Sequence, residues 1–181
     1  RRNMIDNSVN IRGLKRYAVD HSGHVPAPEN APSTGKRVAI VGGGPGGLSA
    51  AYYLQLMGHH AVIFEKQPKL GGMLRYGIPN YRLPRERLQE DIDVILSTGV
   101  EVHTNVSVGE QTSVADLRQE YDAVYIAIGA HTDKKVGIPG EDSEGVISAV
   151  EMLRGIGNDI MPDFAGKRIA VIGGGNVAMD V

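Results

Sequence analysis

Gly35-Lys-Arg-Val-Ala-Ile-Val-Gly-Gly-Gly44 returns later in the chain as Gly166-Lys-Arg-Ile-Ala-Val-Ile-Gly-Gly-Gly175. Seven of the ten positions are identical, and the other three exchange Val with Ile. Each copy is a short β-branched run that breaks into glycines and then enters a helical pattern. A continuous apolar run, rather than an alternating one, marks a strand buried on both faces of a parallel sheet. Strand, glycine turn and helix N-terminus in that order open a dinucleotide-binding βαβ unit. The predicted class is α/β with a Rossmann-like sheet. Two such phrases in one chain predict two nucleotides, with electrons passing between them.

The first phrase is the more informative. Arg37 to Val41 is the strand, Gly42 permits the sharp turn, and Gly44 lets the backbone approach a pyrophosphate without a Cβ. Gly47 completes G-x-G-x-x-G and shares a helical face with Ala50, Ala51, Leu54 and Met57. The free N–H groups and positive dipole end of that helix point at the phosphates. Gly58 ends it. Ala61 to Phe64 is the second strand, and Glu65 lies just beyond, 23 residues after Gly42. An acid at that distance is placed to accept hydrogen bonds from an adenosine ribose. A lone glycine fingerprint is weak; strand, helix and acid agreeing together are not.

At 181 residues the chain can build one sizeable core, or one domain and a fragment. A net charge of −2 favours neither nucleic acid nor an anionic membrane. No apolar run approaches bilayer-spanning length and no secretory segment opens the chain, so a cytoplasmic location is expected. With no cysteine, this stretch carries no disulfide, thiolate metal site or redox-active Cys pair. The chain starts at Arg1 and stops one turn into a helix, so both ends read as cut.

Taken in order, residues 1–19 predict one short helix, capped by Asn7 or Ser8, with Ile11, Leu14 and Ala18 on one face and Gly13 weakening it. Pro26, Pro28 and Pro32 make residues 20–34 a linker, in which His21 and His24 are solvated rather than metal ligands. Residues 66–84 form a long irregular loop with Gly71, Gly72 and Gly77. Its Arg75 and Arg82 are candidate pyrophosphate partners through the guanidinium fork; solvated arginines on a surface loop are the alternative. Pro84 opens a helix with Leu88, Ile92, Ile95 and Leu96 on one side. A strand over Val100–Thr104 turns His103 to solvent, a helix covers Val114–Tyr121, and Ala123–Ile128 is a buried strand broken by Gly129. A backbone passing beside a cofactor and a plain strand end both fit that glycine. A helix follows over Gly145–Arg154. The second phrase then gives a strand over Lys167–Ile172 and a turn in which Ala178 takes the place of the third glycine. Asp180 lies on the new helix, and a solvated helix residue is an open reading of it. No acid–base or nucleophile constellation is present, so no catalytic side chain is predicted.

Several segments together carry a more specific likeness: Val41-Gly-Gly-Gly-Pro-Gly-Gly47, Phe64-Glu-Lys66, Gly71-Gly-Met-Leu-Arg-Tyr-Gly-Ile-Pro79, Tyr81-Arg-Leu-Pro84, Ala127-Ile-Gly129, Gly137-Ile-Pro-Gly140 and Gly173-Gly-Gly-Asn176. On them the chain resembles the small (beta) subunit of NADPH-dependent glutamate synthase. It is equally similar to the N-terminal part of dihydropyrimidine dehydrogenase and to related NAD(P)H-dependent ferredoxin oxidoreductases. The resemblance implies FAD at the first fingerprint and NADPH, or NADH, at the second. Gly42, Gly44 and Pro45 would line the FAD pyrophosphate, with Gly47 behind them, and Glu65 would hold the ribose beside Lys66. Gly72, Met73, Leu74 and Arg82 would touch FAD from the long loop, Val108 would meet its adenine side, and Gly129 would end a strand beside it. Gly174, Gly175, Asn176 and Val177 would begin the NADPH site.

The resemblance also implies partners and boundaries. Residues 1–35 would be the tail of an iron–sulfur helical domain, 36–165 the first part of the FAD domain, and 166–181 the start of a truncated NAD(P) domain. Family members bind 4Fe-4S clusters through upstream cysteines, which this chain lacks, so the clusters belong to the parent protein or to an iron–sulfur or flavoprotein partner. The expected activity is electron transfer from NAD(P)H through FAD to those clusters. Two other readings stay open: a flavin disulfide reductase, whose usual Cys pair is missing here, and a non-catalytic FAD or NAD(P) module.

Overall fold

The structure, a computed structural model, describes residues 4–181. Four parallel strands lie in the order β3-β2-β1-β4: β1 Arg37–Val41, β2 His60–Glu65, β3 Glu101–Thr104 and β4 Ala123–Ile126. Val38 and Ile40 of β1 point to one face, where they meet Leu48 and Ala51 of α2 (Pro45–Leu56) and Leu88 and Ile92 of α4 (Arg85–Leu96). Ala39 and Val41 point to the other, against Leu117 and Tyr121 from α5 (Val114–Glu120) and the residue after it. Because successive side chains alternate faces, a strand covered on both sides must be apolar where it is covered, and Val38–Val41 of β1 and Ala61–Phe64 of β2 are.

Several elements depart from expectation. The first helix, α1, runs Ile11–His21 and is capped by Asn10, not Asn7 or Ser8; residues 1–3 of the expected helix lie outside the described part. The Asn10 side chain accepts the Gly13 N–H at 3.0 Å, and a Cβ at Gly13 would stand 2.4 Å from Asn10 Nδ2. The glycine that weakens the helix therefore makes room for its cap. Its apolar face is exposed rather than packed. On α2 the buried residues are Gly47, Leu48, Ala51 and Gln55, while Met57 is exposed. The loop expected after Glu65 contains one helical turn, α3 (Met73–Tyr76). Helix α6 runs Ala149–Gly157 from a Ser148 cap, later than expected, because Gly145 has φ +87° and cannot sit in a helix.

Two strand expectations are corrected. Ala123–Ile128 is not a buried strand: it ends at Ile126, forms an edge of the sheet and leaves Tyr125, Ile126 and Ile128 exposed. Lys167–Ile172 forms no strand at all, and Ile169 and Ile172 are 58% and 71% exposed. A β-strand exists only through its ladder, and no described segment pairs with this one. The glycine turn and the short helix after it, α7 (Asn176–Asp180), form regardless.

Candidate functional site

A cleft of about 510 Å3 opens at the carboxyl ends of β1, β2 and β4, where open parallel sheets receive ligands. Its floor is the first glycine turn, and four of the five glycines of that turn divide by what demands them. A Cβ at Gly47 would lie 1.9 Å from the Gly42 carbonyl oxygen. One at Gly42, where φ is +106°, would lie 2.4 Å from the Ala127 oxygen. The protein's own packing excludes side chains there. At Gly44 and Gly46 the nearest atoms would be Gly72 Cα at 3.6 Å and Ala127 Cβ at 3.8 Å, both ordinary contacts, and both glycines line the cleft. Packing tolerates a side chain at these two positions; a ligand on the turn would not. Helix α2 begins here with no side-chain cap and no acid in its first turn, so its N-terminal N–H groups are available to an anion.

Glu65, 7% exposed, stands beside the turn. Its Oε2 accepts the Gly43 N–H at 2.6 Å and its Oε1 the Gln67 N–H at 2.7 Å. A carboxylate has about four acceptor sites, so two backbone bonds fix its orientation and leave capacity for a ligand hydroxyl. Lys66, Gly72, Met73, Val108 and Gly129 line the same cleft with Gly42, Gly44 and Pro45. Gly47 lies behind the lining, Leu74 packs against the core, and Arg82 stands outside on Asp180. Arg75 is buried: its Nε donates to the Leu70 carbonyl at 2.6 Å and Nη2 to Gln89 Oε1 at 2.7 Å. Neither the phosphate nor the solvated reading holds for it; it ties the loop to α4. His103 is half-exposed, stacked on Phe64 and bonded to Glu101.

Sequence reasoning missed Val106, Ser107, Tyr125 and His131 in the lining. No local pattern marks them. Pairing of Val41 with Ile126 carries the next residues past the sheet edge and over the turn. His131 is half-buried, and its carbonyl accepts a bond from the Arg154 guanidinium. Burial first, then Arg154 and Lys66, hold its imidazole below the usual histidine range, with Glu65 opposing.

The second turn repeats the conformation of the first. Gly44 has φ −78° and ψ −174°, and Gly175 has φ −80° and ψ 178°. Gly42 and Gly173 both take positive φ, +106° and +127°. Gly174, Gly175, Asn176 and Val177 are exposed or nearly so, and a Cβ at Gly174 or Gly175 would meet nothing within 4 Å. They do not border the first cleft. The solvated reading of Asp180 does not hold: its carboxylate pairs with Arg82 and accepts from the Tyr81 hydroxyl.

The family model described as pyridine nucleotide-disulphide oxidoreductase matches residues 36–181. The chain belongs to that family. Among curated relatives, the chain is 44% identical over 190 residues to the Geobacter sulfurreducens NADPH-Fe(3+) oxidoreductase subunit beta, covering 99% of this chain and 28% of that one. It is 41% identical over 206 residues to the Moorella thermoacetica NADP(+)-dependent formate dehydrogenase subunit beta, at 99% and 29% coverage. Against the Escherichia coli glutamate synthase (NADPH) small chain, the identity is 35% over 186 residues, at 96% and 39% coverage. The chain thus spans about a third of the length of these relatives. Among solved structures, Mycobacterium tuberculosis FprA in complex with NADPH superposes with a TM-score of 0.70 at 31% identity, over 83% of this chain and 35% of FprA. Among the described residues no helix is long and apolar enough to cross a membrane, and no cluster of three or more His, Cys, Asp or Glu could hold a metal ion.

Proposed function

We propose that this chain is the flavin-bearing part of an NAD(P)H-dependent oxidoreductase that delivers electrons to 4Fe-4S clusters of another domain or subunit. One observation carries the reading: glycine at positions 44 and 46, which packing does not require, floors an open cleft beside a buried, backbone-oriented acid. Those residues fit the diphosphate and ribose of FAD. The turn and the start of α2 receive the diphosphate, Glu65 accepts from the ribose, and Gly72, Met73, Val108 and Gly129 wall the cleft. Bound FAD would supply the chemistry, taking a hydride from reduced nicotinamide and releasing single electrons; the chain supplies orientation and exclusion of water. The turn at Gly174–Val177 begins the nicotinamide nucleotide site, and residues 1–35, 36–165 and 166–181 divide as linker, FAD domain and opening of the NAD(P) domain. NADPH and NADP(+) in the names of the three relatives above support the phosphorylated carrier. A cytoplasmic location goes with this reading.

The test is the full-length polypeptide, purified and supplied with FAD. Flavin absorption bands that bleach under anaerobic NADPH are the expected result. A protein that retains no flavin removes the reading. One that retains flavin without reduction by NADPH or NADH leaves only a non-catalytic module.

A further inference from the structure

Arg82 and Asp180 are 98 residues apart, yet Arg82 Nε lies 2.5 Å from Asp180 Oδ1, and the Tyr81 hydroxyl donates to the same oxygen at 3.2 Å. Arg82 belongs to the loop that leaves the first cleft, and Asp180 to the helix that starts at the second glycine turn. The Asp180 side chain is only 9% exposed, although α7 has no buried residue and the stretch before it is exposed. A carboxylate shielded in so open a segment is held there by the Tyr81 hydroxyl bond and by the close Arg82 ion pair, whose Coulomb attraction strengthens as water is excluded. We propose that Arg82, Tyr81 and Asp180 form a clasp that sets the second glycine turn in register with the first, making Arg82 a positioning residue for the nicotinamide carrier rather than a partner of the flavin diphosphate. Hydride transfer requires the reacting atoms about 3–3.5 Å apart, and a 1 Å misplacement costs on the order of a hundredfold in rate. Each turn seats its own nucleotide by its own backbone, so losing the clasp disturbs the relative placement of the two while leaving each site able to bind. This rests on the flavin and nicotinamide reading above.

The experiment uses the full-length polypeptide with Asp180→Asn, Arg82→Lys, Arg82→Ala and the exchanged pair Arg82→Asp/Asp180→Arg. Flavin content, NADPH affinity and the single-turnover rate of flavin reduction are read separately. Expected are flavin content and NADPH affinity within about twofold of wild type, with reduction slowed roughly 10- to 100-fold in Asp180→Asn and Arg82→Ala. Arg82→Lys should be less impaired, and the exchanged pair should recover part of the rate. Two outcomes overturn the clasp: reduction at the wild-type rate in Asp180→Asn, or loss of flavin from Arg82→Ala and Arg82→Lys while Asp180→Asn keeps both flavin and rate. A wild type that binds no flavin removes the underlying reading instead, so the two failures are distinguishable.

Discussion

At the scale of single residues, the glycines of the first turn make separable predictions. Gly47→Ala forces a methyl to 1.9 Å from the Gly42 oxygen, so it should destabilise the fold by about 3 kcal/mol and displace the turn. Gly44→Ala meets nothing closer than 3.6 Å, at a φ of −78° that alanine adopts freely, so stability should change by less than about 1 kcal/mol. Flavin retention should nonetheless weaken roughly tenfold or more, because the methyl stands where the backbone must approach the ligand. Thermal unfolding and flavin absorption, measured on both variants, check the contrast; equal flavin retention in wild type and Gly44→Ala would contradict it. His131 makes a pH prediction. Burial, Arg154 and Lys66 depress its folded-state pKa, so below about pH 6.5 the unfolded chain binds the proton more readily. Stability is then complete above that pH and falls as pH drops. His131→Gln should flatten the fall in unfolding midpoint between about pH 7 and 5, and an unaltered slope would show that His131 contributes nothing to it. Glu65 was legible from its distance to Gly42; His131 was not, since only the crossing of the chain past β4 brings it to the cleft.

At the scale of elements, hydrophobic period and breakers marked β1, α2, β2 and α4 within a residue or so of where they stand. Two helices fixed by side-chain caps were misplaced at their starts. Asn10 and Ser148 cap their helices, yet each is one of several polar residues in its stretch, and only the bond formed decides among them. Arg75 is the sharpest case, because a guanidinium in a glycine-rich loop reads as a phosphate ligand until its neighbours are known. Buried between the Leu70 carbonyl and Gln89, it is scaffold. Arg75→Met should therefore cost about 2–3 kcal/mol of stability. The folded fraction should keep its flavin, which thermal unfolding and flavin titration on the same sample will separate. A loss of flavin without loss of stability would return Arg75 to the ligand.

At the scale of the whole molecule, the two ten-residue phrases meet different fates. Arg37–Val41 lies between β2 and β4 with Val38–Val41 covered on both faces, whereas Lys167–Ile172 has no ladder partner among the described residues and is exposed. In the 181-residue chain, backbone amides of β1 and of Ala61–Ile63 in β2 should exchange with solvent at rates near those of global unfolding. Those of residues 167–172 should exchange orders of magnitude faster, and comparable protection would mean that a pairing forms there. The sequence by itself determined the local geometry: Gly44 and Gly175 adopt matching backbone angles and Gly42 and Gly173 both take positive φ, because glycine placement and the following helix are decided within a few residues. Only the tertiary structure decided which residues flank Arg37–Val41 in the sheet, how the chain past β4 reaches the cleft and where Arg82 reaches. Strand pairing, burial and ion pairs all depend on neighbours brought from far along the chain, and no local pattern encodes which neighbours those are.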